Sequence, residues 1–205
     1  MQKEGTDTRH FILETSLQLF LQRGYKDVSY RDIIKKTGLS KGAIYHYFKS
    51  KEHLLTSVFE FLLETTGQPD IEDPENEITD YESFRRVFLE TKKAQFRNFK
   101  MLLKTKSLKF NKILFFLEAI IENESLKKNV WKLMKHEIRF LEKCFSALKK
   151  NKTLPRGKDP ALLAENLFWM LQGTEMLMFF VQKSDLEKDF MRMYNKTLED
   201  FFKII

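Results

Sequence analysis

The chain has 205 residues, 42% of them hydrophobic and 32% charged, which excludes a disordered polar chain and allows one large domain or two small ones. Cys144 is the sole cysteine, which excludes an intrachain disulfide. The opening MQKEGTDTRH carries no apolar signal core and no run is long enough to span a bilayer, so a cytoplasmic, membrane-free protein is expected. Net charge is +7, and residues 1–51 hold ten Lys and Arg against five Asp and Glu, so five of those charges sit in the first quarter. A basic end on a near-neutral body fits a polyanionic partner; on charge alone a solvated lysine-rich surface fits as well.

Only seven Gly and four Pro favour long helices over many short strands, and the expected fold class is all-α. A first helix is predicted from near Asp7 to Gly24, with Ile12, Ser16, Leu19 and Phe20 at helical spacing. Ser29 and Asp32 have capping-box spacing for a second helix that Gly38 ends. Ser40 is placed to cap a short helix, Lys41 to Tyr47, and Ser50 another from Lys51. Residues 67–80, with two prolines, six acids and no base, read as a loop that adds little to a core.

From Glu75 to Leu154 there is neither Gly nor Pro, and helices are expected with breaks near Asn98, Ser107, Asn111 and Asn123–Ser125. Two stripes stand out, Phe84-Val87-Phe88-Thr91-Ala94 and Leu126-Val130-Leu133-Glu137-Leu141-Phe145-Leu148. Residues 151–159 form a second loop, and Asp159-Pro160 opens a helix over 160–182 that is apolar nearly all round. Such a helix needs burial on every side, and a second subunit would supply it. After Ser184-Asp185-Leu186-Glu187 a last helix carries Leu186, Phe190, Met193, Tyr194, Thr197, Leu198 and Phe201 along one face. The two final helices pair naturally into a four-helix bundle across a twofold axis.

The stretch Asp32 to Phe48 is helix, glycine turn, helix. Ile33, Leu39, Ile44 and Phe48 can form its small core, which leaves Lys41, Gly42, Ala43, Tyr45, His46 and Tyr47 nearer the outside. Exposed tyrosines and a histidine beside a lysine have a use in a DNA major groove, where hydroxyls bond phosphates and the helix start reaches base edges. By spacing alone Tyr45 reads equally as a core aromatic, and His46 as a solvated side chain.

This region closely resembles the tetracycline-repressor (TetR) family of one-component regulators. The likeness covers about residues 8–60 through Phe20-x-x-x-Gly24-Tyr25, Val28-Ser29, Arg31-Asp32-Ile33, Gly38-Leu39-Ser40-Lys41-Gly42, Ile44-Tyr45-x-Tyr47-Phe48 and Lys51-Glu52-x-Leu54. Positions 34 and 37, small in the family, are Ile34 and Thr37 here. The resemblance implies an N-terminal three-helix DNA-binding domain over 1–52 with a helix-turn-helix. It further implies a larger helical ligand-binding and dimerisation domain over 53–205.

Lys41, Gly42 and Ala43 then correspond to base readers, and Tyr45, His46 and Tyr47 to mixed base and phosphate contacts. Lys51 at a helix start would hold a phosphate, with Ser29, Tyr30 and Ser40 adding hydroxyls to the DNA backbone. The implied partners are a palindromic double-stranded operator, a second copy of the chain joined through the last two helices, and a small-molecule inducer. No cofactor is implied.

Twenty Phe and eight Met would give an inducer cavity soft walls suited to a lipophilic ligand, although such stripes are more often plain core. His136, Glu137, Asn166, Gln172, Thr174 and Glu175 are polar groups able to orient a ligand, or simply to face solvent and neighbouring helices. His10, His46, His53 and His136 are scattered and form no acid-base or metal-ligand constellation, which argues against an enzyme. The residues do not separate a repressor from an activator or from a ligand-independent regulator.

Overall fold

The computed structural model describes residues 2–66, 74–103, 120–121, 123–181 and 186–205. Among them are eight α-helices and a 3-10 turn at Pro74–Asn76, and no strand. The helices are α1 Gln2–Arg23, α2 Tyr30–Thr37, α3 Lys41–Tyr47, α4 Lys51–Thr66, α5 Tyr81–Leu103, α6 Glu124–Lys150, α7 Pro160–Val181 and α8 Leu186–Ile204. Contacts divide the chain into two compact units, Met1–Gly67 with Asn98–Val130, and Gln68–Arg97 with Trp131–Ile205.

In the first unit α1 packs against both α2 and α4. Ile12, Leu13, Leu17 and Phe20 of α1 are buried with Ile33, Ile44, Phe48, Leu54 and Val58. The long helix begins at Gln2, earlier than the predicted Asp7. Gly24 follows its end at φ 88° and turns the chain where a side chain would be strained.

Each predicted cap in this unit is present. Ser29 accepts from Asp32 N while the Asp32 carboxylate accepts from Ser29 N, closing the capping box. Gly38 ends α2 at φ 71°, its N–H bonded to the Ile34 carbonyl. Ser40 Oγ accepts from Ala43 N and Ser50 Oγ from His53 N. Thr37 has a local use as well: its hydroxyl donates to the Ile33 carbonyl at 2.8 Å and accepts from Leu39 N at 3.3 Å, bracing the turn.

The second unit is built from α5 up to Arg97, α6 from Trp131, α7 and α8, and α7 packs on α8. Its core is aromatic: Phe84, Phe145, Phe201 and Phe202 meet ring to ring, and Phe88, Tyr194, Phe190 and Phe96 form a second chain of contacts. Asn98 lies inside α5 and breaks nothing, whereas Asn123 does cap α6, its Oδ1 accepting from Ser125 N and Leu126 N.

Leu133, predicted on a core stripe, is exposed. The acidic loop contributes more than its composition predicts. Ile78 is fully buried, and its carbonyl accepts from Asn151 Nδ2 at 2.9 Å. The expected breaks at Ser107 and Asn111, the loop residues 67–73 and the Ser184 capping box lie outside the described residues.

Asp159 caps α7 through Ala161 N. Among the described side chains of α7, those buried lie along one side, through Leu163, Ala164, Leu167, Phe168 and Leu171. Leu162, Trp169, Met176 and Leu177 are about half exposed or more, so burial on every side is not achieved by one chain. The last helix buries the predicted Phe190, Tyr194, Thr197, Leu198 and Phe201.

Candidate nucleic-acid interface and the buried charge cluster

The helix-turn-helix core is small and apolar: Ile33, Ile44 and Phe48 are each fully buried, and Leu39 is half-buried. Burying Ile44 and Phe48 fixes which side of the seven-residue α3 faces out. Lys41, Gly42, Tyr45 and His46 are exposed, and Ala43 and Tyr47 are half-buried. The structure thus brings the six predicted α3 residues onto one short helix, with the Lys41 ammonium 5.5 Å from the Tyr45 ring centroid and the His46 and Tyr47 rings edge to face at 5.0 Å.

A Cβ at Gly42 would meet only Ser40 Oγ, at an ordinary 3.9 Å. The fold therefore does not require glycine there.

The flanking residues are more committed than the sequence implies. The Ser29 hydroxyl donates to Asp32 Oδ2 at 2.5 Å, and Arg23 reaches Asp32 Oδ1 at 2.8 Å. Those two bonds, with the Ser29 N–H, hold the Asp32 carboxyl well below the usual range. The Tyr30 hydroxyl donates to the Phe48 carbonyl at 3.0 Å, and its ring lies on that of Tyr45 with centroids 4.9 Å apart and planes at 20°. Burial, then the neighbouring Tyr45 and Glu52, push the Tyr30 phenol up to about 12, so it stays a neutral donor.

Lys51 stands at the start of α4 with its ammonium 4.2 Å from the Tyr25 ring centroid and 3.4 Å from the Lys26 carbonyl. Ser40 caps with a lone pair, a role that does not use its proton.

The second unit holds a cluster whose centre the sequence reading missed. Lys92 of α5 is 7% exposed and pairs with Glu137 of α6 and, at 3.5 Å, with Glu175 of α7. The Tyr194 hydroxyl of α8 donates to Glu175 Oε1 at 2.8 Å. Each of the unit's four helices therefore supplies one member. The Phe88 and Tyr194 rings flank the ammonium at 5.6 and 5.4 Å.

Burial opposes the Lys92 charge, but the two carboxylates outweigh it and hold the group above the ordinary lysine value. Burial raises Glu175 above the usual carboxylate range, with Glu137 adding to the rise and Lys92 offsetting part of it. A signal existed for Lys92: it continues the fourfold spacing of the buried Phe84 and Phe88 on α5. Cys144, buried with its thiol pushed up by desolvation, is chemically quiet.

Residues 12–58 match the family described as bacterial regulatory proteins, tetR family. YuxN of Bacillus subtilis, an uncharacterized HTH-type transcriptional regulator, is 47% identical over 55 residues, 27% of this chain and 19% of its own length. The transcriptional repressor NemR of Escherichia coli is 46% identical over 46 residues, 22% of this chain and 23% of NemR. These curated relatives are thus matched over less than a quarter of their own length.

Over the whole chain the likeness is one of fold. The crystal structure of reduced NemR superposes with a TM-score of 0.62 at 20% identity, covering 93% of this chain and 97% of NemR. A TetR-family regulator from Agrobacterium tumefaciens gives 0.68 at 18% identity, over 96% of this chain and 98% of that one. Residues 12–58 thus carry the likeness to the tetR family of bacterial regulatory proteins, and the chain as a whole shares the fold of these solved regulators. These matched relatives are HTH-type transcriptional regulators.

Proposed function

We propose that the protein is a homodimeric transcriptional repressor that binds a palindromic operator and is released from it by a small lipophilic ligand. The observation that carries the DNA-binding half is the outward face of α3, where Lys41, Gly42, Tyr45 and His46 stand exposed on a helix anchored by fully buried Ile44 and Phe48. The surplus of positive charge in residues 1–51 adds sequence-independent attraction to phosphates. In this reading residues 1–52 form the DNA-binding domain and residues 53–205 the sensing and dimerising domain.

Dimerisation is supported by α7. Leu162, Trp169 and Met176 recur every seven residues on its uncovered side, with Leu177 beside them. The exposed Gly173 lies on the same stripe, where a Cβ would meet nothing within 4 Å and a second helix can approach closely. Ligand response is supported by the Phe- and Met-rich composition, which gives adaptable walls. A ligand that favours one arrangement of the four helices joined at Lys92 would shift the population between DNA-binding and released forms.

The test is a gel shift of the full-length chain against the promoter region flanking its own coding sequence. Sequence-specific retardation, weakened in Tyr47→Ala and Lys51→Ala at unchanged oligomer mass, is expected. No retardation at low salt removes the DNA-binding reading. Light scattering at micromolar concentration is expected to return the mass of a dimer, and a monomer removes the role of α7 and α8.

A further inference from the structure

We propose that Tyr30 is a positioning residue for DNA recognition: its ring is a fixed shelf that holds Tyr45 of α3, so Tyr30 sets sequence discrimination without contacting DNA. This rests on the reading of α3 as the recognition helix.

Tyr30 is anchored at both ends. Its backbone is the first residue of α2, directly after the Ser29 capping box, and its hydroxyl donates to the carbonyl of Phe48, a fully buried residue at the end of α3. Between those anchors the ring lies face to face with Tyr45. Tyr45 has no comparable anchor. It is 37% exposed on a seven-residue helix, and its neighbours are the Tyr30 ring and the Lys41 ammonium. An exposed tyrosine exchanges among staggered rotamers and must be ordered when it binds, at the cost of affinity. The shelf removes part of that cost in advance, and it does so for one ring orientation.

The hydrogen-bond chemistry argues against a direct role. A phosphate oxygen only accepts, and a phenol has a single proton. The Tyr30 proton is already given to the Phe48 carbonyl, so a phosphate contact would have to break the bond that ties α2 to the end of α3.

The experiment selects a bound duplex from a random-sequence pool with the full-length chain. Affinity for that duplex and for a scrambled duplex of equal composition is then measured by fluorescence anisotropy. The proteins are wild type, Tyr30→Phe, Tyr30→Leu, Tyr45→Ala, and the Tyr30→Leu/Tyr45→Ala double variant. Tyr30→Leu is expected to lose discrimination by about tenfold. Tyr30→Phe keeps the ring and most of the discrimination. The double variant is expected to bind no worse than Tyr45→Ala alone, and Tyr30→Leu is expected to leave affinity for the scrambled duplex at the wild-type value, because that duplex reports backbone attraction.

Additive losses in the double variant, equal losses on both duplexes, or a Tyr30→Phe variant as damaged as Tyr30→Leu would each overturn the proposal. Should Tyr30→Leu melt below the assay temperature, Tyr30→Met fills the same space without a ring face and takes its place. If no duplex is enriched, the DNA-binding reading and the proposal fall together; enrichment followed by additivity removes the proposal alone.

Discussion

The two units use polar side chains in opposite ways. Around α2 and α3 the hydroxyls and carboxylates act over short sequence distances and near the surface: Ser29 with Asp32, Ser40 with Ala43, Thr37 with Ile33 and Leu39. Around Lys92 they act over long distances and in the interior, joining residues 92, 137, 175 and 194. The first pattern defines where short helices begin and end, which a region presenting a rigid outer face needs. The second makes the packing of four helices depend on one group of charges, so any change in that group is felt by all of them.

The sharpest way to break the contrast is Lys92→Ala. Removing the cation leaves Glu137 and Glu175 in a largely buried site without a counter-ion, and a loss of about 3–5 kcal/mol in chemical denaturation is expected. Replacing Lys92 with Met and both glutamates with Gln should recover much of that loss, because no charge then remains buried. If Lys92→Ala costs no more than an exposed pair does, the cluster is not the keystone described.

Acidity separates the units by sign. Glu175 has its pKa raised by burial, so between the ordinary glutamate value and that raised value the folded state binds more protons than the unfolded state. Its contribution therefore worsens as pH rises through that window and is relieved on acidification. Asp32 is the reverse: its lowered pKa contributes stability above the ordinary aspartate value, which is lost as pH falls toward the lowered one. Glu175→Gln, compared with wild type in thermal melts from pH 4 to 8, is expected to gain relative stability with rising pH. Asp32→Asn, followed from pH 4 down to pH 2, is expected to regain stability relative to wild type as the pH falls, because wild type loses the Asp32 contribution there. Parallel curves would show that neither carboxyl is perturbed by its surroundings.

The same contrast explains what could be read from the residues alone. Ser29, Gly38, Ser40, Ser50 and Asp159 act within three residues of themselves or at a single backbone position, so their helix boundaries were visible in the sequence. The outward set on α3 was visible too, because Ile44 and Phe48 are spaced to face inward. The Lys92 cluster was not visible. Glu137 and Glu175 offered only a choice between solvent, a neighbouring helix and a ligand, and their partner lies 45 and 83 residues away on α5. The Tyr30 bond to the Phe48 carbonyl and the burial of Ile78 under Asn151 were hidden for the same reason: a partner 18 or 73 residues off leaves no local spacing to read.

A smaller effect tests the local half. Ser29→Ala removes the side-chain acceptor of the capping box and one support of the Asp32 carboxylate, and a loss of about 1 kcal/mol is expected. It should also flatten the acid-side decline attributed to Asp32. A variant as stable as wild type, with that decline intact, would mean that Arg23 alone holds Asp32 and that the cap contributes little.

The smallest and most selective change is Gly42→Ala. Helix propensity favours alanine by about 0.5–1 kcal/mol, and the added Cβ has only Ser40 Oγ nearby, so the isolated protein should be slightly more stable in thermal melts. If α3 lies in a major groove with its first turn against the bases, the same methyl group obstructs the approach, and affinity for a selected duplex falls. Stability and binding then move in opposite directions, which neither a misfolded variant nor a neutral surface position would show. An alanine variant that gains stability and binds as wild type would mean that the first turn of α3 does not approach the bases at position 42. DNA contact would then shift toward Tyr45, His46 and Tyr47 at the other end of the helix.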